Sequence, residues 1–152
     1  MNKKIISLIL GVLLIPLAIA VADYLDQDDA TTTASVNNNY VELAETQHDY
    51  GTVIPTATYE WSNSLELTDD VKNSNVEGVW VRLCSKGEWE KVMVGDTEWQ
   101  VGQDQFIPNS DPYKLDFLVK LEVPGTATGD YQGGLVFVSH PDQALLECPS
   151  GE

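Results

Sequence analysis

The sequence predicts an all-β fold, namely an immunoglobulin-like or jelly-roll antiparallel β-sandwich of about seven strands. The first indication is a series of short segments in which apolar and polar residues alternate with a period of two, as in a strand with one buried face. The second is that turn residues recur about every 8–12 positions between these segments. The third is that no stretch beyond residue 22 carries a useful amphipathic helical pattern.

The clearest alternation lies in residues 113–138. Only Leu118 interrupts the polar series of its first half, which places five apolar residues on one face: Leu115, Phe117, Val119, Leu121 and Val123. Loop-forming residues follow at 124–130, and a second apolar run occupies 131–138. The pattern predicts a β-hairpin that forms the spine of an antiparallel sheet.

Further alternating segments are expected to be shorter strands: 40–45, 58–67, 78–84, 88–94 and 97–101. The last two are joined by Gly95-Asp96 and predict a hairpin. Three segments are expected to be turns or loops: 47–55, 69–75 and 102–112. The C-terminal end has no clear period, apart from a helical turn expected at 144–147.

The N-terminal residues predict export. A basic start precedes an almost wholly apolar run from Ile5 to Val21, and a small-residue site ends at Ala22. This pattern is typical of a secretory signal peptide at residues 1–22, with cleavage between Ala22 and Asp23. The alternative is that the run is retained as an N-terminal membrane anchor, although it is near the lower length limit for a span.

Residues 23–39 are acidic, then Thr-rich, then Asn-rich. Their apolar content is too low to bury much surface, so we expect a flexible arm. The sandwich domain is then expected to occupy residues 40–152.

The chain is strongly acidic, with 8 basic and 24 acidic residues and a formal net charge of −16. Loss of residues 1–22 removes Lys3 and Lys4 and no acidic residue, which leaves a mature charge of −18. Such a surface repels nucleic acid and anionic lipid, so contact with a membrane is expected only transiently, through the signal peptide. The charge suits solubility after export, and also high salt, divalent cations or basic partners.

The chain has two cysteines, Cys84 and Cys148, which predict one disulfide in an exported protein. In the strand expected at 78–84, Val79, Val81 and Leu83 share the core face, and Cys84 falls in the opposite phase. A bridge from Cys84 is therefore expected to hold the C-terminal tail across the outside of the sheet.

Sequence motifs for catalysis are absent. There is no Gly-x-Ser-x-Gly, no phosphate-binding glycine loop and no His-Glu-x-x-His. We therefore expect no enzymatic activity, no catalytic residues and no cofactor. The cluster Asp26, Asp28 and Asp29 suggests calcium, but it lacks the glycine and the distal glutamate of an EF-hand loop, so calcium binding has no supporting motif.

Tryptophans offer the other candidate site. Trp80 lies in the non-core phase of its strand, and Trp89 and Trp99 are candidate cross-strand neighbours on the hairpin expected at 88–101. Exposed rings of this kind are typical of a ligand-binding platform. The alternative is that they pack between the sheets or cover an outer face, which suits aromatic residues equally well.

The layout of the chain resembles that of TasA/camelysin-type secreted fibre subunits and the related archaeal bundling-pilus subunits. Four segments carry the resemblance: Ala22-Asp23-Tyr24-Leu25-Asp26 at the signal junction, Thr31 to Ser35 in the arm, Tyr40 to Leu43 as first strand, and Tyr50-Gly51-Thr52-Val53-Ile54-Pro55 as the glycine-to-proline segment. The chain departs from the family pattern at Leu25, where an aromatic residue is usual, at Thr56, where glycine is usual, and in its cysteine pair.

The resemblance implies polymerisation by donor-strand complementation, in which the arm of one subunit completes the sheet of the next by β-augmentation. The implied donor is Thr31 to Leu43, with these contact residues: Thr31, Thr33, Val36, Tyr40, Val41 and Leu43. The resulting hypothesis is a secreted, cell-surface subunit of an extracellular filament, whose partners are neighbouring copies. The alternative hypothesis is a secreted β-sandwich module that binds carbohydrate or protein through exposed tryptophans.

Overall fold

The computed structural model describes residues 29–37, 39–85, 91–123, 125 and 131–150. The predicted signal peptide at 1–22, its cleavage site at Ala22 and Asp23, and Trp89 lie outside the described residues.

Ten strands make up most of the described chain: β1 (Asp29–Asn37), β2 (Val41–Leu43), β3 (Gln47–Thr52), β4 (Thr58–Leu67), β5 (Gly78–Ser85), β6 (Lys91–Val94), β7 (Thr97–Trp99), β8 (Asp104–Pro108), β9 (Lys114–Glu122) and β10 (Tyr131–His140). A short helix, α1 (Asp69–Lys72), precedes β5, and a 3-10 turn at Gln143–Leu145 follows β10. Among the described residues, no helix is long and apolar enough to cross a membrane.

The strands form two five-stranded sheets. The front sheet has the order β3-β1-β10-β5-β8, and the back sheet has the order β2-β4-β9-β6-β7. All neighbouring strands are antiparallel except β1 and β10, which are parallel. The sheets pack against each other, so the expected all-β sandwich is confirmed, with ten strands in the described chain rather than about seven.

The principal core lies between the sheets, and three aromatic rings meet at its centre. Phe137 of the front sheet lies 5.1 Å from Phe117 and 5.4 Å from Trp99 of the back sheet, measured between ring centroids. All three side chains are buried. Burial of a ring of this size contributes about 1.5–3 kcal/mol, so these contacts hold the two sheets together.

Alternation correctly predicted which face of a strand is buried. In β9 the apolar phase points into the core, and Leu118 in the other phase is only partly buried. In β5 the core residues Val79, Val81 and Leu83 are fully buried. The hairpin expected at 88–101 is also confirmed in its described part, since β6 pairs antiparallel with β7.

The predicted spine hairpin is wrong. β9 lies in the back sheet between β4 and β6, whereas β10 lies in the front sheet between β1 and β5. The chain between them therefore crosses from one sheet to the other. Alternation with a period of two fixes the buried face of each strand, but it does not identify the neighbour that pairs with it, and proximity in sequence was the wrong guide here.

The segments expected to be loops contain regular structure. β3 lies within 47–55, α1 within 69–75 and β8 within 102–112. β3 and β8 are the two edge strands of the front sheet. Edge strands tolerate polar residues and proline because one side of their backbone has no partner strand, so both lack the apolar alternation of a central strand.

The N-terminal arm also differs from expectation. Residues 29–37, expected within a flexible arm at 23–39, form strand β1 inside the front sheet. Residues 23–28 lie outside the described chain. The low apolar content that predicted a flexible arm does not prevent pairing, because the small residues of β1 fit between two neighbouring strands.

The segment 50–56 contains two residues with a left-handed backbone: Gly51 has φ 65° and Thr56 has φ 68°. Glycine adopts this conformation freely, whereas a residue with a Cβ atom loses roughly 1–2 kcal/mol. The backbone N–H of Thr56 donates to the carbonyl of Val123 at 2.9 Å, which holds the turn against the back sheet. Thr56 is therefore a threonine at a position suited to glycine.

We expect Thr56→Gly to raise the free energy of unfolding by about 0.5–1 kcal/mol, because relief of the left-handed strain exceeds the entropic cost of glycine. Urea denaturation measures the change. Thr58→Gly, at the exposed start of β4, is the control and should lower the free energy by about 0.5–1 kcal/mol. A loss of stability in both variants would contradict the assignment of strain to Thr56.

Candidate functional site

The candidate site is the position of β1 in the front sheet. β1 runs parallel to β10, from Ala30 opposite Tyr131 to Asn37 opposite Val138. On its other side it runs antiparallel to β3, from Asp29 opposite Thr52 to Thr33 opposite Gln47. Among the described strands, β3 pairs with β1 alone. We call the space that β1 fills between β3 and β10 the β1 slot.

The side chains that β1 turns into the sandwich are small. Ala30, Thr32 and Ala34 are 0%, 0% and 3% exposed, and Val36 is partly buried against the principal core. Thr33 and Ser35 point outward and are exposed. β1 thus brings little apolar surface to the core. It is kept in the sheet mainly by its backbone hydrogen bonds to β10 and β3.

Large rings close the interior beside the slot. The His48 ring of β3 stacks on Trp61 of β4 at 5.3 Å, with an interplanar angle of 8°. Tyr50 lies edge-on to His48 at 4.6 Å and to Tyr59 at 6.2 Å. Leu135 and Phe137 fill the side of β10. Because these side chains occupy the space under β1, the slot suits a strand with small inward residues.

A short connector joins β1 to the back sheet. Residues 38–40 link Asn37 at the end of β1 to Val41 at the start of β2. The Thr68 hydroxyl donates to the Asn39 carbonyl at 3.1 Å, and the Thr68 N–H donates to the Tyr40 carbonyl at 3.1 Å. The Tyr40 ring packs edge-on against His140 at 5.5 Å. We call this end of the sandwich the hinge end.

The implied donor, Thr31 to Leu43, is not one strand in this structure. Thr31, Thr33 and Val36 lie in β1 of the front sheet, and Tyr40 lies in the connector. Val41 and Leu43 lie in β2 of the back sheet, where they pair with Leu67 and Leu65. The chain changes sheet at the connector, so the segment that can act as a single strand is β1, which begins two residues before Thr31.

The disulfide is confirmed. Cys84 and Cys148 are bonded, across 64 positions of sequence. Cys84 packs in a small cluster with Val138 and Leu146 on the outer side of the front sheet, as the phase of Cys84 predicted. Closure of a loop of this length stabilises the fold by roughly 4 kcal/mol in the chain-entropy model. The bond is consistent with an oxidising compartment.

A partly buried ion pair also fixes the C-terminal tail. The Arg82 guanidinium donates from Nε and Nη2 to the Asp104 carboxylate at 2.6 and 2.9 Å, and from Nη1 to the Leu146 carbonyl at 2.5 Å. The Asp104 side chain is 9% exposed. The hydrogen bonds from Arg82 lower the pKa of the Asp104 carboxyl, burial opposes this shift, and a hydrogen bond from Gln143 adds to it.

The candidate ligand-facing tryptophans divide into different environments. Trp99 is fully buried, and its Nε1 donates to the Gln103 carbonyl at 2.9 Å, so its assignment to a ligand platform is wrong. Trp80 is partly buried on the outer side of the front sheet and lies 4.9 Å from the ring of Phe106, which is 38% exposed. Trp99 lies on the core face of β7, a short edge strand. The sequence pattern did not reveal this orientation, because so short a strand shows no clear alternation.

Metal binding and catalysis were also considered for the part of the chain that the structure describes. Within the described residues, no group of three or more His, Cys, Asp or Glu side chains could hold a metal ion. The His48 ring stacks on Trp61, and the His140 ring contacts Tyr40 while its Nδ1 accepts from the backbone N–H of Asp142 at 2.9 Å. No protein-family model and no curated protein sequence matches the chain.

We expect Asp104→Asn to lower the free energy of unfolding at pH 7 by about 1–3 kcal/mol, because the partly buried Arg82 loses its charged partner. The carboxyl has a lower pKa in the folded protein than in the unfolded chain, where it is about 3.9. Its stabilisation is therefore present above that value and is lost as the pH falls through the lowered pKa.

Urea denaturation from pH 7 to pH 2 measures this effect. The difference between the wild type and Asp104→Asn should shrink toward the acid end. Asp96→Asn, in the exposed turn between β6 and β7, is the control and should change stability by less than about 0.5 kcal/mol. A difference that persists unchanged in acid would contradict the role of the charged carboxylate.

Proposed function

We propose that this protein is an exported structural subunit of an extracellular filament or cell-surface assembly, in which β1 of one copy fills the β1 slot of the next. The observation that carries the proposal is the placement of β1: an N-terminal strand, paired along both edges, with small inward side chains. An identical strand from another copy can replace it without change to the core.

The charge distribution supports the same segment as the joint between copies. Residues 30–41 contain no charged side chain, although the chain carries 24 acidic residues. Charged copies of like sign repel each other. Asp29 at the start of β1 is the one charged residue of this strand, so residues 30–37 can enter a neighbour without placing a carboxylate in a buried position, where it would be costly.

The turn at 50–56 supports the resemblance to secreted fibre subunits. The family pattern places glycine at both ends of this segment, and the positions of Gly51 and Thr56 both have a left-handed backbone. Thr56, which stands where the family pattern has glycine, therefore has a backbone conformation that suits glycine. The signal-peptide pattern at 1–22 and the disulfide both support secretion to an oxidising compartment.

A disulfide across the slot tests the proposal. Thr33 and Gly134 are Cα partners of β1 and β10, a separation that a disulfide can bridge. We expect the mature wild type, residues 23–152, to form filaments visible by negative-stain electron microscopy. The double variant Thr33→Cys/Gly134→Cys should fold, form the bond within one chain and remain monomeric, because its β1 cannot leave.

The matched control is Ser62→Cys/Leu118→Cys, which joins the paired strands β4 and β9 of the back sheet and leaves β1 unrestrained. This variant should form filaments as the wild type does. Filaments of the slot-locked variant at the wild-type yield, or a wild type that stays monodisperse under all conditions, would overturn the proposal.

The second candidate function is a secreted module that binds carbohydrate, and the Trp80–Phe106 pair on the outer side of the front sheet favours it. The Phe106 ring also has a packing role, because it covers Gly78. A Cβ atom on Gly78 would lie only 2.5 Å from this ring. Neutral polysaccharides should then shift the tryptophan fluorescence, and Phe106→Ala should abolish the shift. No shift with any neutral polysaccharide would exclude this function.

A further inference from the structure

We propose that β1 enters the neighbouring copy in the direction opposite to the one it has in its own sheet, so that it lies antiparallel to the neighbour's β10. This inference rests on the proposed strand exchange and specifies the geometry of the joint. Three observations carry it: the short connector after β1, the direction of β1 in its own sheet, and the order of its side chains.

The connector limits how far β1 can move from its own sandwich. Only residues 38–40 separate Asn37 from Val41. An extended chain covers about 3.3–3.6 Å per residue, so the Cα atoms of Asn37 and Val41 cannot lie more than about 14 Å apart. Val41 is buried and paired with Leu67, which fixes this anchor in β2. Asn37 therefore stays near the hinge end of its own copy.

The direction of β1 then decides how two copies can face each other. In its own sheet, β1 ends with Asn37 at the hinge end and begins with Asp29 about 26 Å away, at eight steps of about 3.3 Å. If β1 kept this direction in a neighbour, the two hinge ends would have to meet. Two copies in that arrangement exchange strands reciprocally and close as a two-fold dimer.

An open filament needs the hinge end of one copy to face the opposite end of the next. Asn37 then lies at the neighbour's far end and Asp29 lies toward the neighbour's hinge end, so β1 is reversed in the slot. The neighbour's own hinge end remains available to donate to a third copy. Reversal thus produces a head-to-tail contact, which extends into an open filament wherever its rotation does not close a ring.

The side-chain order of β1 permits this reversal. Residues 30–34 read Ala-Thr-Thr-Thr-Ala in both directions. Three of the four inward residues, Ala30, Thr32 and Ala34, are symmetric about Thr32, so a reversed strand presents the same small side chains at these three places in the slot, whereas Val36 near the end of β1 has no counterpart. The outward residues Thr31 and Thr33 simply exchange positions. A slot that accepts small residues at these places therefore accepts residues 30–34 in either direction.

The backbone pairing favours the reversed strand. In its own sheet, β1 is parallel to β10 over eight paired positions and antiparallel to β3 over five. Reversal makes the longer ladder antiparallel and the shorter ladder parallel. Antiparallel pairing is slightly more stable per residue, so the exchanged state gains from the reversal, which the short connector prevents within a single copy.

Cysteine cross-linking between copies tests the direction. Donor chains carry Thr31→Cys or Thr33→Cys, acceptor chains carry Gln132→Cys or Gly134→Cys, and the two sets differ in mass through an isotope label. The original direction pairs Thr31 with Gln132 and Thr33 with Gly134. Reversal about Thr32 pairs Thr31 with Gly134 and Thr33 with Gln132. Mature full chains are mixed, assembled and mildly oxidised, and the intermolecular bonds are quantified by mass spectrometry.

We expect the crossed pairs to form at least roughly fivefold more product than the uncrossed pairs, because a disulfide requires Cα atoms about 4.4–6.8 Å apart. Ser35→Cys and Val136→Cys extend the series, so that a strand reversed in a shifted register still shows the inverted order of partners. Val136→Cys also replaces Gly134→Cys if that variant does not fold. Ser62→Cys on the back sheet is the control acceptor and should give no product.

The outcomes separate the two proposals. Uncrossed pairs in excess would overturn the reversal and leave strand exchange in place. Filaments that give no cross-link with any donor and acceptor would overturn strand exchange itself, and the reversal with it. Crossed pairs in excess support both.

Discussion

The front sheet depends on the backbone pairing of β1 along both of its edges. One ladder joins it to β10 and the other to β3, and β3 has no other partner strand in the described chain. Each backbone hydrogen bond contributes about 0.5–1.5 kcal/mol net, whereas the inward alanines and threonine bury little apolar area. Backbone hydrogen bonds therefore contribute most to the continuity of the sheet at β1, and the side chains of β1 contribute little.

An interaction of this kind can be transferred between copies, but the chain's own strand has the advantage. A strand tied by a short connector has an effective concentration in the millimolar range. A neighbour at micromolar concentration is at a disadvantage of about a thousandfold, or about 4 kcal/mol. Exchange in the same geometry would therefore leave most copies closed. The proposed assembly therefore needs a contact that the closed copy cannot make, and the proposed antiparallel ladder between β1 and a neighbour's β10 would be such a contact.

The sequence predicted the buried faces well and the neighbours poorly. The alternation of β9 and the phases of Val79, Val81 and Cys84 follow from the pleat, which is a local property. The pairing of β10 with β1 is a contact across about a hundred positions, and no local pattern encodes it. β1 itself was expected to be flexible because composition measures apolar content, whereas its place in the sheet depends on a slot formed by distant strands. For the same reason the sequence could suggest an N-terminal donor but could not show where one strand ends and the next begins.

The protein is strongly acidic, whereas β1 is uncharged beyond its first residue, Asp29. At a physiological Debye length of about 8 Å, charges on neighbouring copies are screened unless they come into close contact. In the proposed filament, the joint is where copies come into close contact, and the donor segment there has twelve successive uncharged residues, 30–41. Repulsion elsewhere on the surface opposes every non-specific association. The two features together favour the proposed pairing of β1 with a matching slot over other close contacts between copies.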